Sequence, residues 1–188
     1  MLNIPNTLTL LRIAAIPATL IAIEQSRYTL ALILFFAAGV TDALDGGIAR
    51  LMNTRTTLGA YLDPLADKGL VLSLLIRLTV LGRIPGWILT IILTRDVVCI
   101  AGYALLFFLT GERIEVHPSL IGKLATFLQL GGLGIQMLVL HDASFEPLAH
   151  GDAVFIGAAA ATAISGVQYV ARGLRWYQTR PSGGVADA

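Results

Sequence analysis

The chain has 188 residues, 56% of them hydrophobic and only 13% charged, with a net charge of +1 and a mean hydropathy of +0.78. Soluble domains carry about 25% charged residues, so half that fraction points to a membrane protein, and a near-neutral chain without a basic tract offers nothing to a nucleic acid. The single cysteine, Cys99, excludes an intrachain disulfide and reads as a small buried hydrophobe.

A hydrocarbon core about 30 Å thick needs about 20 apolar residues per helical span. Six segments meet that demand in chain order: residues 7–24, 29–48, 64–81, 86–109, 119–140 and 152–172. The start, MLNIPNTLTLLRI, has no cationic leader and no small-residue cleavage site, so no removable signal is read there. Arg12 in the first span either snorkels to the interface or reaches a phosphate, with Asn6 and Thr9 on its face. The third span is long enough only if its helix starts inside a polar stretch, near Asp63.

Arg95 and Asp96 lie well inside the fourth span, where charge is expensive. They form a structural ion pair or line a polar cavity. In the fifth span the run from Gly131 to Gly134 would let helices pack closely. The breaks between spans hold turn residues or charge, from Glu24 to Arg27, Arg50 to Thr57, Gly82 to Pro85, Gly111 to Pro118 and His141 to Asp152. His117, His141 and His150 fall in these breaks without metal-ligand spacing and read as loop residues. No internal repeat is visible. The expected fold is an all-α, polytopic membrane bundle of six transmembrane helices with a polar cavity open to the cytoplasm, one domain over residues 1–177, and a disordered tail at 178–188.

Lysine and arginine set the orientation. With the N-terminus inside, the inner segments hold Arg50, Arg55, Lys68, Arg113, Lys123, Arg172, Arg175 and Arg180, against Arg27, Arg77 and Arg83 outside. That asymmetry puts both termini in the cytoplasm, in a cell (inner) membrane. Trp87, Trp176 and Tyr177 stand at span ends as interfacial anchors.

The stretch TDALDGGIARLMNTRTTLGAYLDPLADK, residues 41–68, puts four aspartates into this apolar chain. Asp42, Asp45, Gly46 and Ala49 share one helical face, and Asp63 and Asp67 share a face of the next helix, with Gly59 one turn earlier. Two such helices in a hairpin would bring four carboxylates together, where they repel unless protonated or neutralised by cations. Oxygen-only ligands select hard ions such as Mg²⁺, Mn²⁺ or Ca²⁺. Two such ions can bridge a pyrophosphate while a phosphoryl group moves. The small residues Gly46, Gly47, Ala49 and Gly59 leave room for a nucleotide against the backbone. Helix capping at the interface would explain one aspartate, not four phased on two faces.

The spacing D-x2-D-G-x2-A-R-x8-G-x3-D-x3-D, carried by Asp42, Asp45, Gly46, Ala49, Arg50, Gly59, Asp63 and Asp67 without a gap, resembles the signature of the CDP-alcohol phosphatidyltransferase family. The leading IPNTLTLLRI, the DPLADK ending and the six-span layout are similar too, over about residues 3 to 140. The resemblance implies an enzyme that takes CDP-diacylglycerol, displaces CMP with an alcohol hydroxyl and needs Mg²⁺ or Mn²⁺. Asp42, Asp45 and Asp63 are then metal ligands, and Asp67 a further ligand and the base that takes the hydroxyl proton. Gly46, Ala49 and Gly59 pack against the cytidine nucleotide, and Arg50 meets its phosphates. The resemblance also implies a homodimer among membrane lipids.

The acceptor implied first is glycerol 3-phosphate, giving phosphatidylglycerophosphate, with Arg113 and Lys123 supplying charge beside the fifth span. Family members that use it tend to carry G-K-x-K-T there. This chain has Gly122-Lys123-Leu124-Ala125-Thr126, with alanine in place of the second lysine. Phosphatidylglycerol, giving cardiolipin, is the alternative acceptor. A small membrane transporter is the alternative of another class, but transporters commonly show paired repeats and midplane sites, and these carboxylates cluster at one face.

Overall fold

The computed structural model describes residues 4–52, 57–111, 119–149 and 153–179, and for residues 4–8, 42–52, 57–67, 148 and 149 the backbone alone. Among them are six α-helices: α1 (Ile4–Glu24), α2 (Tyr28–Met52), α3 (Thr57–Val80), α4 (Gly86–Thr110), α5 (Leu120–His141) and α6 (Ala153–Thr179). A 3₁₀ turn (Ala143–Ala149) follows α5, and there is no strand among the described residues. Each helix overlaps one expected span. The helix start that moves most is that of α3, which begins at Thr57 rather than near Asp63. The polar stretch is therefore helical, and α3 gains the length that its apolar half lacks. By length and composition alone α4, α5 and α6 qualify as membrane spans among the described residues, with a shorter apolar helix at Tyr28–Thr41. Of the expected tail, Gln178 and Thr179 continue α6, and residues 180–188 lie outside the described residues.

The helices stop where the backbone can turn left-handed. Gly82 has φ 71°, with its N–H bonded to Thr79 O at 2.9 Å and the Arg83 N–H to Leu78 O at 2.9 Å, the paired bonds of a Schellman cap. Gly111, φ 68°, closes α4 with a bond to Phe107 O at 2.8 Å. At the end of α1 the same cap is built on Ser26, φ 57°, with Ser26 N–H to Ile23 O at 3.0 Å and Arg27 N–H to Ala22 O at 2.8 Å. Serine has no glycine-like freedom there. Beyond α5, Asp142 accepts the Ser144 N–H at 2.9 Å, which holds its carboxyl below the usual carboxylate range.

The chain divides into two compact units, Met1–Pro85 with Gln129–Ala153, and Gly86–Leu128 with Val154–Ala188. In the first, α1 packs against both α2 and α3. Leu74, Leu75, Leu78, Leu133 and Met137 are buried. Gly69 of α3 admits the end of Ile16, to which a Cβ would lie at 3.2 Å. Gly134 lies in ordinary contact with Phe35 of α2, whereas Gly131 faces open space. An added Cβ would fit at both ends of the glycine run, so neither Gly131 nor Gly134 shows the expected close packing.

In the second unit, glycines set the approach of α4 and α6. Gly166 meets the Arg95 stem, Gly173 meets Leu106, and Gly102 meets Tyr169. Small residues at helix crossings are the membrane's substitute for hydrophobic drive, which vanishes when the alternative environment is lipid.

Ser26→Gly should raise the thermal unfolding midpoint in detergent, by the equivalent of about 0.5–1 kcal/mol, because it relieves the left-handed serine. Gly82→Ala should lower it by a similar amount. A midpoint that falls in the first variant would contradict the cap.

Candidate active site

The motif residues lie on two consecutive helices. Asp42, Asp45, Gly46, Ala49 and Arg50 lie in the second half of α2, and Gly59, Asp63 and Asp67 in the first half of α3. The backbone is continuous α-helix through both sets, so a rotation of 100° per residue applies. It gathers Asp42, Asp45, Gly46 and Ala49 into one narrow arc, and Asp63 with Asp67 into another. The side chains of these eight residues lie outside the described set, as does all of Arg113.

The donor chemistry fits a hard divalent ion, with oxygen ligands only, all anionic, in pairs one helical turn apart. Among the described residues no three His, Cys, Asp or Glu side chains gather at one place. His141 ends α5, with its Nδ1 3.1 Å from Thr29 Oγ1. That contact ties the start of α2 to the end of α5.

Arg12 and Thr9 are buried, at 2% and 1% exposure. An arginine that snorkels to the interface would be exposed, so its burial places Arg12 in the interior of the first unit.

The second unit holds a polar cluster that the sequence only half disclosed. Arg95 Nη1 donates to Asp96 Oδ1 at 2.7 Å, the ion pair expected. Its Nη2 donates to Ser165 Oγ of α6 at 3.3 Å. The first turn of α5 closes on the same point. Ser119 caps it, accepting the Gly122 N–H at 3.0 Å. A Cβ on Gly122 would stand 3.0 Å from Ser165 Oγ, 3.2 Å from Ser119 Oγ and 3.7 Å from Arg95 Nη2.

The Arg95 stem meanwhile lines an open apolar groove of about 520 Å³ that runs past Thr94 and Val98 of α4 and Val167 and Val170 of α6. The side chain therefore lays its carbons against apolar surface and turns its charge toward the α5 N-terminus. Lys123, next in sequence to Gly122, is exposed, and Ala125 is buried. Ser119, Ser165 and Gly166 were not singled out from sequence. The unexplained charge of Arg95 and Asp96 was the signal that could have led to them.

A sequence profile of CDP-alcohol phosphatidyltransferases matches residues 2–167. The chain belongs to the CDP-alcohol phosphatidyltransferase family. Members are integral membrane enzymes that use a divalent metal ion, CDP-diacylglycerol and an alcohol acceptor. A protein of Mycobacterium tuberculosis named probable phosphatidylglycerophosphate synthase is 39% identical over 181 residues, covering 92% of this chain and 82% of its own length. The CDP-diacylglycerol–glycerol-3-phosphate 3-phosphatidyltransferase of Bacillus subtilis is 35% identical, covering 78% of this chain and 81% of its own. A protein of Drosophila melanogaster named probable cardiolipin synthase (CMP-forming) is 34% identical, covering 72% of this chain and 47% of its own.

Gly122→Ala should lower the unfolding midpoint in detergent by the equivalent of about 1–3 kcal/mol, because the added methyl crowds two hydroxyls. Gly131→Ala, on the same helix in open space, should raise it by about 0.5–1 kcal/mol. Equal effects would show that the cluster around Gly122 is not tightly packed.

Proposed function

We propose that this protein transfers the phosphatidyl group of CDP-diacylglycerol to glycerol 3-phosphate, releasing CMP and forming phosphatidylglycerophosphate. The observation that supports the acceptor reading is the placement of the Arg95 guanidinium in the second unit. Glycerol 3-phosphate is a small dianion, and Arg95 offers a guanidinium at the capped first turn of α5, where helix N–H groups also favour anions. Lys123 and Arg113 add charge beside it in sequence. Ala125 stands where glycerophosphate-using members carry a second lysine. It is buried, three residues along α5 from Gly122, and Arg95 brings its charge to that face from α4.

Asp42, Asp45, Asp63 and Asp67 would hold the divalent ions, two of them on the family's pattern. When bound, such ions neutralise the pyrophosphate and stabilise CMP as it leaves. Arg50 pairs with the nucleotide phosphates, and Gly46, Ala49 and Gly59 leave space for the cytidine. The acceptor hydroxyl oxygen bonds to the phosphatidyl phosphorus, the bond from that phosphorus to the CMP oxygen breaks with its electron pair on CMP, and the hydroxyl proton passes to the Asp67 carboxylate. The lysine and arginine distribution puts both termini and this site on the cytoplasmic side of the inner membrane. Family membership implies that two copies associate there.

Phosphatidylglycerol as acceptor, with cardiolipin as product, is the second reading, and Ala125 is the residue that favours it. The two separate in one assay. Detergent-solubilised protein with Mg²⁺ and CDP-diacylglycerol is offered glycerol 3-phosphate, phosphatidylglycerol, inositol phosphate or serine, and CMP and lipid product are followed by mass. Phosphatidylglycerophosphate is expected, abolished by EDTA and restored by Mg²⁺ or Mn²⁺. Cardiolipin alone would overturn the acceptor assignment, and activity undiminished in EDTA would overturn the metal assignment. Lys123→Ala should raise the KM for glycerol 3-phosphate about tenfold and leave that for CDP-diacylglycerol near its wild-type value. A matched rise in both would remove Lys123 from the acceptor site.

A further inference from the structure

Asp96 alone would neutralise Arg95, yet α5 and α6 are also shaped around its guanidinium. Ser165 Oγ receives Nη2 at 3.3 Å. Gly166, the next residue, presses on the arginine stem so closely that a Cβ would stand 3.2 Å from Cγ. Gly122 leaves Nη2 and the Ser165 hydroxyl room that any larger residue would take. Neither the hydroxyl nor the two glycines answers a charge. They fix where the guanidinium stands. Arginine has five N–H donors in a rigid fork, and the bonds to Asp96 and Ser165 commit two of them.

We propose that Ser165 is a positioning residue that acts through Arg95. Its hydroxyl holds Nη2 at the first turn of α5, so that other N–H groups of the fork face the phosphate of the acceptor, while Gly122 and Gly166 provide the clearance. The proposal rests on the reading of Arg95 as the acceptor's cation. It adds that α6, which bears no motif residue, sets acceptor affinity through one hydroxyl. Without that hydroxyl the guanidinium keeps its charge and its bond to Asp96 and loses its fixed direction. Acceptor binding should suffer, and the donor nucleotide and the chemical step should not.

Wild type, Ser165→Ala and Ser165→Thr are compared in detergent with Mg²⁺ and CDP-diacylglycerol, with glycerol 3-phosphate and phosphatidylglycerol assayed in parallel and unfolding midpoints recorded. The acceptor that the wild type uses decides the proposed function. The ratio of variant to wild-type KM for that same acceptor decides the role of Ser165, because both candidates carry a phosphate. Ser165→Ala should raise that KM about tenfold, with kcat, the KM for CDP-diacylglycerol and the midpoint each changed by little. Ser165→Thr, which keeps a hydroxyl, should restore most of the loss. An unchanged acceptor KM in Ser165→Ala would overturn the proposal. So would a parallel fall in kcat, both affinities and the midpoint that threonine does not rescue.

Discussion

Charge in hydrocarbon is costly, and its cost organises this protein. A carboxylate or guanidinium at membrane depth persists only with a partner, at an interface or with a bound counter-ion. The chain has 12 acidic residues, and it gathers four of them in two helix segments on either side of a short connection. Their mutual repulsion makes a divalent ion the natural complement. Arg95 obeys the same rule with a carboxylate beside it and a hydroxyl from another helix. Backbone groups follow it as well, since helices answer their own N–H and C=O groups and every described element here is helical.

The glycines are the second half of that economy. Lipid gives apolar side chains no reason to leave it for one another, so close contact depends on small residues placed where partners cross. Gly166 and Gly173 of α6 do this against side chains of α4, and Gly69 does it between α1 and α3. Gly122 serves a polar contact instead, keeping open the space between a helix N-terminus, a serine and an arginine.

The six helices were legible because hydropathy and turn residues carry local information. Gly82 and Gly111 end α3 and α4 where the sequence placed breaks. The start of α3 was less legible, since its first turns are polar and apolar length understates a helix that begins in a charged stretch. The end of α1 rests on Ser26 in a conformation that sequence seldom assigns to serine. Asp42, Asp45, Asp63 and Asp67 could be singled out because their spacing along two helices is itself the signal. Ser165 could not, because nothing in AISG distinguishes a serine that meets an arginine 70 residues away from one that faces lipid. Arg12 was legible as an exception, and its direction, into the protein, followed only from burial.

The claim on which the rest depends is that the four aspartates of α2 and α3 hold a divalent ion together. Binding of Mn²⁺ to purified wild type and to Asp42→Asn, Asp45→Asn, Asp63→Asn and Asp67→Asn, followed by electron paramagnetic resonance in detergent, tests it without reference to turnover. Tight binding in the wild type, weakened in every variant while the fold is kept, is the predicted result. Wild-type affinity retained in all four variants would contradict it, and the carboxylates would need another purpose.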